Sequence, residues 1–207
     1  LLSTPKDYPI TSTFNGFWFG VAAEEISEDL RNFIQTGTQP LLITFGSMPF
    51  KSKFDLQEAI IKLVKNLNIR VIVVRGWGLQ QTEKLSHYPE IMVINNAPYE
   101  KLFPHVKAVV HHGGIGTTAE CLRAGKPFMI CPILYPIGDQ KFWGIQAFKK
   151  GIGVKPIALS KLTESSFLAG VQELLTNQQF YETAIKIKND VDNENGIEQT
   201  IDQIENH

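Results

Sequence analysis

From about residue 41 onward, short apolar runs alternate with longer stretches whose apolar residues recur on one side of a helix, and this alternation restricts the chain to few architectures. A strand covered on both faces reads as a continuous apolar run. A helix lying on such a sheet shows one apolar stripe. Repeated in order, the two form βα units whose crossovers return each strand parallel to the last. The runs predict strands at Leu41–Phe45, Arg70–Val74, Ile91–Asn95, Ala108–His111 and Phe128–Pro132, with a weaker one at Gly153–Pro156. Between them, Asp55–Leu67 carries apolar residues at 56, 60, 63, 64 and 67, a one-sided stripe. Thr163 opens another helix with Glu164 in its first turn, and Phe180–His207 reads as two amphipathic helices broken at Asn195-Gly196. The class is therefore α/β, a doubly wound parallel sheet. At 207 residues and 43% hydrophobic content, one domain with a proper core is expected.

The opening of the chain does not fit this pattern. Residues 1–20 are rich in Pro, Thr, Ser, Gly and aromatic residues, with Phe14, Phe17, Trp18 and Phe19 crowded together. The segment is either an edge strand or a connector arriving from elsewhere, and its lack of periodicity favours the connector. The domain proper is then 21–207, closed by helices over about 178–207. Twenty basic and 21 acidic residues leave a formal charge of -1, and no Lys/Arg cluster exceeds Lys149-Lys150, so a nucleic-acid partner is not expected. The two cysteines, Cys121 and Cys131, fall in segments that read as buried helix and buried strand. They indicate neither a disulfide framework nor a metal site, which suits a reducing cytosol. With no basic apolar leader and no apolar run of spanning length, the expectation is a soluble cytoplasmic chain, with peripheral membrane contact compatible.

Chemistry concentrates at two strand ends. In open α/β sheets ligands sit at the carboxyl ends of the strands. One turn there is Thr44-Phe45-Gly46-Ser47, with a glycine for close backbone approach and a hydroxyl for a phosphate oxygen. The other is His111-His112-Gly113-Gly114-Ile115-Gly116-Thr117-Thr118, running from a strand through glycines into a helix start. A helix N-terminus offers unpaired N–H groups and partial positive charge, so an anionic ligand, a phosphate or diphosphate, is expected. Both turns can face one diphosphate. His111 and His112 alternate sides, so one packs and one faces the crevice. Glu120 either closes a capping box with Thr117 or accepts ribose hydroxyls. Asp139 is either the N-cap of a helix Gln140–Lys149 or a ligand residue. Gly114, Gly116 and Ala119 also satisfy the dinucleotide fingerprint G-x-G-x-x-A, but on the fourth strand rather than the first, which weakens an NAD-binding oxidoreductase reading. Asp190-Val191-Asp192 follows a lysine-rich helical pattern and reads as a solvated helix end.

These residues form an ordered series: Gly16-Phe17-Trp18-Phe19, Phe45-Gly46-Ser47, Leu102-Phe103-Pro104, His111-His112-Gly113-Gly114 with Gly116-Thr117-Thr118, Ala124-Gly125, Pro132, and Gly138-Asp139-Gln140 with Phe142-Trp143-Gly144. The series resembles the C-terminal, donor-binding half of GT-B glycosyltransferases of the UDP-glycosyltransferase superfamily, and most closely the sterol glucosyltransferase branch. The resemblance implies a Rossmann-like domain, one half of a GT-B fold, with residues 1–20 as interdomain connector. It implies diphosphate contacts from Gly46, Ser47, His112, Gly114, Gly116, Thr117 and Thr118, ribose binding by Glu120, and sugar hydroxyls held by Asp139 and Gln140. Base recognition falls to Asn96 and Ala97, where plant members stack a tryptophan; Trp77 is a second candidate for stacking. Ile133–Gly138 looks about three residues longer than the family pattern, and Ile115 and Gly116 replace the Trp and Asn of the plant signature.

The resemblance further implies an inverting, metal-independent transfer of a hexose, glucose foremost, from a UDP-sugar to a sterol or other lipid-like hydroxyl, with no cofactor. The general base and acceptor pocket belong to an N-terminal acceptor domain, on the same or a separate chain. A soluble subunit of a bipartite transferase and a nucleotide-sugar binding module without catalysis are alternatives that the residues leave open.

Overall fold

The computed structural model describes residues 7, 9, 13–21, 23–50, 54–76, 79 and 81–206. Five strands, β1 (Leu41–Thr44), β2 (Val71–Val74), β3 (Ile91–Ile94), β4 (Ala108–His111) and β5 (Phe128–Ile130), form one parallel sheet in the order β3-β2-β1-β4-β5. The chain starts in the middle, winds outward through β2 to β3, then crosses back to lay β4 against the free side of β1. Thr44 pairs with Val74 on one side and His111 on the other, so the turns after β1 and β4 leave the sheet side by side. That is the topological switch point, where neighbouring connections diverge and open a crevice.

Alternation along β1 builds two cores. Leu41, Ile43 and Phe45 face one layer, formed by α2 (Leu56–Leu67) and α6 (Glu164–Thr176), where Ile60, Leu63, Phe167 and Val171 are buried. Leu42 faces the other, with Leu30 of α1 (Glu28–Gln35), Leu102 of α3 (Tyr99–Leu102), Leu122 of α4 (Ile115–Arg123), Ala147 of α5 (Gln140–Lys150) and Ala184 of α7 (Gln178–Asp192). Each strand is thus covered on both faces, as its apolar composition requires. Caps set several helix starts: Asp55 accepts from Gln57 N at 3.0 Å and Glu58 N at 3.3 Å, and Thr163 shares a reciprocal capping box with Ser166. The break before α8 (Gly196–Glu205) falls at Asn195, as expected from Asn195-Gly196.

Two expectations change. Gly153–Pro156 forms no strand; a Cβ on Gly153 would stand 1.8 Å from the Phe128 carbonyl oxygen, so the chain crosses β5 in close contact rather than in a ladder. Residues 13–21 join no strand either, so the edge-strand alternative is not realised there. They lie on α8: Asn15 Nδ2 donates to Thr200 Oγ1 at 2.9 Å and Gln203 Oε1 at 3.0 Å, and Phe17 N donates to Glu194 Oε2 at 3.1 Å. Among the described residues, no helix is long and apolar enough to cross a membrane.

Candidate functional site

The two strand-end turns meet around one imidazole. After β1 the chain reaches Gly46 in the left-handed region, φ +66°, where a Cβ would lie 2.9 Å from His112 Cε1. After β4 it passes through Gly113, φ +95°, to Gly114, where a Cβ would lie 2.6 Å from His112 Nε2. The half-buried His112 ring is therefore clasped between glycine backbones that no other residue type could bring so near.

The adjacent histidine has a different role. His111 is fully buried, and its Nδ1 accepts the Gly113 N–H at 3.1 Å, which holds the turn and assigns the ring proton to Nε2. Burial, reinforced by His112, pushes its pKa down to about 3, so it stays neutral. Burial also lowers His112, against the pull of the Asp139 charge. One packs and one faces the crevice, as strand alternation predicts. His112 Nδ1 is buried without a hydrogen-bond partner. His111 Nε2 and Tyr181 Oη are likewise buried without a partner.

α4 begins beside it with Gly114 as N-cap and no side-chain cap. A Cβ on Gly116 would meet nothing within 4 Å, which leaves the first turn open to an approaching anion. Ser47 is exposed and Thr117 half-buried at this rim. Thr118, expected at the diphosphate, is buried, with its hydroxyl donated to the Gly114 carbonyl at 3.0 Å, so it braces the turn from within.

Because the helix starts at Ile115, Thr117 lies inside it and the capping box with Glu120 does not form. Glu120 Oε2 accepts instead from Arg123 Nε at 3.0 Å and Nη2 at 2.7 Å. Burial raises the Glu120 pKa, and the Arg123 contact opposes the rise. Asp139 precedes α5 without capping it; its Oδ2 accepts from Trp143 Nε1 at 2.8 Å. Gln140 is buried rather than presented at the rim. Its Oε1 accepts from the backbone N–H of Ile133 at 2.8 Å and Leu134 at 3.0 Å, and its Nε2 contacts Met48 Sδ at 3.3 Å. The amide therefore shapes the loop after β5 and ties it to the β1 turn.

Asn96 and Ala97 line an open cavity of about 600 Å³ at the carboxyl ends of β2 and β3, together with Arg75, Ser27 and Thr82. Arg75 was legible by the strand-end rule, since it directly follows β2. Tyr99 was not: its hydroxyl bonds Thr44 Oγ1 at 2.7 Å and joins α3 to the end of β1. Trp77 lies outside the described residues. Among the described residues there is no group of three or more His, Cys, Asp or Glu able to hold a metal.

A parallel five-stranded sheet flanked by helices in this order is the fold found in solved GT-B glycosyltransferases. The glycotransferase of kitacinnamycin superposes with a TM-score of 0.74 over 94% of this chain and 48% of its own, at 20% identity. The glycosyltransferase VinC, solved in complex with DTDP, superposes at 0.69 over 87% of this chain and 44% of its own, at 18% identity. At sequence level the chain belongs to the family of the erythromycin biosynthesis protein CIII-like C-terminal domain, matched over residues 59–205. It is 32% identical over 180 residues, 87% of this chain, to the sterol 3-beta-glucosyltransferase UGT80B1 of Arabidopsis thaliana. It is 34% identical over 202 residues, 91% of this chain, to the sterol 3-beta-glucosyltransferase of Vanderwaltozyma polyspora. The chain spans 29% and 16% of the length of those two relatives.

Proposed function

We propose that this chain is the donor-binding half of an inverting glycosyltransferase that moves a hexose, glucose foremost, from a UDP-sugar to a sterol or other lipid-like hydroxyl. The observation that carries the reading is the His112 ring, held between Gly46 and Gly114 with a buried unpartnered nitrogen beside the open N-terminus of α4. In the reaction, the bond from the anomeric carbon to the diphosphate oxygen breaks while the acceptor oxygen attacks from the opposite face. Negative charge grows on the diphosphate, where the α4 N-terminus and His112 stabilise it. The Gly46-Ser47 and Thr117 rim holds the remaining phosphate oxygens, Glu120 the ribose, Asp139 the sugar, and the Asn96-Ala97 backbone the base. Activation of the acceptor hydroxyl falls to a base on the acceptor half, on the same or a separate chain. The sterol glucosyltransferase relatives support the acceptor class.

The test is a thermal-shift and calorimetric series with UDP, UDP-glucose, dTDP-glucose and NAD. UDP and UDP-glucose stabilise the chain and NAD does not. Stabilisation by NAD with no response to UDP overturns the reading in favour of a dinucleotide enzyme; a preference for dTDP-glucose reassigns the donor within the same chemistry.

A further inference from the structure

Glu120 is held by a residue that the family signature does not include. Arg123, one turn further along α4, directs Nε and Nη2 at the same carboxylate oxygen, Oε2; Oε1 takes part in neither bond. An ion pair of this spacing on a helix surface is ordinarily worth little. Here the two side chains are only 21% and 22% exposed. The guanidinium is also bounded on two further sides. Glu100 of α3 stands 3.9 Å from Nη2, and the Phe19 ring stacks 4.6 Å from the guanidinium carbon. Three separate parts of the chain therefore fix one guanidinium, and the guanidinium fixes one carboxylate oxygen.

We propose that Arg123 is the positioning residue for the nucleotide ribose: it immobilises Oε2 of Glu120 and leaves Oε1 turned to accept the ribose hydroxyls. The inference rests on Glu120 being the ribose ligand, as proposed above. A diol donates best to an ionised carboxylate, because hydrogen bonds to a charged acceptor are about twice as strong as neutral ones. The surroundings work against ionisation. Burial and Glu100 both push the Glu120 pKa up, and Arg123 pulls it down. Beyond the Phe19 ring, the neighbouring cavity of about 330 Å³ that Arg123 also lines adds Asp192, Glu194 and Glu198. Asp192 in that lining is paired with Lys188, and the group that offsets burial and Glu100 at the Glu120 carboxylate is Arg123. Without it, Glu120 is a half-buried carboxyl beside Glu100, and it holds its proton to higher pH.

The sign follows. Ribose binding by the ionised carboxylate is lost as pH falls through the Glu120 pKa, and removing Arg123 moves that loss upward in pH. The phosphates of the ligand titrate identically against every variant, so the ratio of variant to parent affinity isolates Glu120. The experiment measures UDP and 2′,3′-dideoxy-UDP binding to the parent chain, Arg123→Met, Arg123→Lys and Glu120→Gln by calorimetry near pH 8 and near pH 5.5. Arg123→Met weakens UDP about threefold at the higher pH and about tenfold at the lower, the scale of a charged hydrogen bond becoming neutral. Against the dideoxy analogue the two proteins bind alike at both pH values. Arg123→Lys weakens UDP with the parent's pH profile, since it keeps the charge and loses the fork; it carries the test if Arg123→Met shows no folding transition. Equal weakening of UDP and the dideoxy analogue, with no divergence in pH, makes Arg123 merely structural and overturns the inference. Failure of the ribose reading itself looks different: Glu120→Gln then leaves UDP affinity unchanged and the parent chain ignores the missing hydroxyls.

Discussion

The crevice between β1 and β4 and the belt where residues 13–19 lie on α8 are both polar, and they handle polarity in opposite ways. In the belt, Thr13, Asn15 and the Phe17 N–H find Gln203, Thr200 and Glu194 at 2.9–3.1 Å. Gly196 brings the backbones together, since a Cβ there would lie 2.6 Å from Asn15 O and 2.7 Å from Phe17 O. In the crevice, Gly46 and Gly114 each bring backbone close to a side chain, the His112 imidazole, whose Nδ1 has no partner. The same device, glycine at a close approach, serves a closed contact in one place and an open one in the other. The belt closes its hydrogen bonds on itself, whereas the crevice sets an unpartnered imidazole nitrogen beside the uncapped N-terminus of α4.

The largest expected effect breaks or keeps this contrast directly. His112→Ala removes the ring between the glycines and weakens UDP by roughly 1–3 kcal/mol, the cost of one hydrogen bond to a charged group. The melting temperature stays near the parent value, because the ring's nitrogen contributes no internal bond. Calorimetry and a melt on the same sample decide it: a large fall in melting temperature with unaltered UDP affinity would move His112 to the structural side.

Next comes pH. His111 is protonated near pH 6.5 in an unfolded chain and only near 3 when buried, so the unfolded state takes up the proton first. Its contribution is absent above about pH 6.5, and below that stability falls by up to about 1.4 kcal/mol per pH unit. His111→Asn keeps an acceptor for the Gly113 N–H and removes the titration. Chemical denaturation at pH 7 and pH 5 then shows a smaller loss for the variant than for the parent. Equal losses would assign acid sensitivity to other groups.

A smaller effect is expected in the belt. Glu194→Ala leaves the Phe17 N–H without its acceptor and costs about 1 kcal/mol of stability. UDP affinity is unchanged. A matching loss of UDP affinity would show that the belt and the crevice are coupled rather than separate.

Much of this was legible beforehand because it depends on local rules. Continuous apolar runs such as Val71–Val74 mark buried strands, and Asp55, Thr163 and Asn195 mark helix boundaries by cap chemistry. That one histidine packs and the other faces the crevice followed from strand alternation; that the latter is His112 came with the resemblance. What the sequence hid depends on partners far apart in the chain. Gln140 looks like a surface amide until the loop after β5 folds over it and Met48 closes from the β1 turn. The Glu120 capping box failed by a shift of helix start from Thr117 to Ile115, a difference that glycine-rich turns do not announce. Helix α1 was legible by the same rules, for Leu30, Phe33 and Ile34 form a one-sided stripe behind the Ser27 cap.

The smallest effect tests the rim rather than the floor of the crevice. Asp139 accepts from Trp143 Nε1 at 2.8 Å, so by the criterion of spent hydrogen bonds it resembles the belt. Its exposed position at the start of α5 and its electrostatic influence on His112 place it with the crevice. Trp143→Phe separates the two by deleting one indole N–H while keeping an aromatic ring. A bond at an exposed carboxylate costs only about 0.5 kcal/mol to lose, so folding is scarcely altered. If Asp139 holds the sugar, the indole sets its rotamer, and the variant loses about twofold of its preference for UDP-glucose over UDP while UDP itself binds as before. Calorimetry with both ligands gives that ratio. An unchanged ratio, together with an unchanged ratio in Asp139→Asn, would return Asp139 to the structural side and confine the ligand-facing residues to the floor between Gly46 and Gly114.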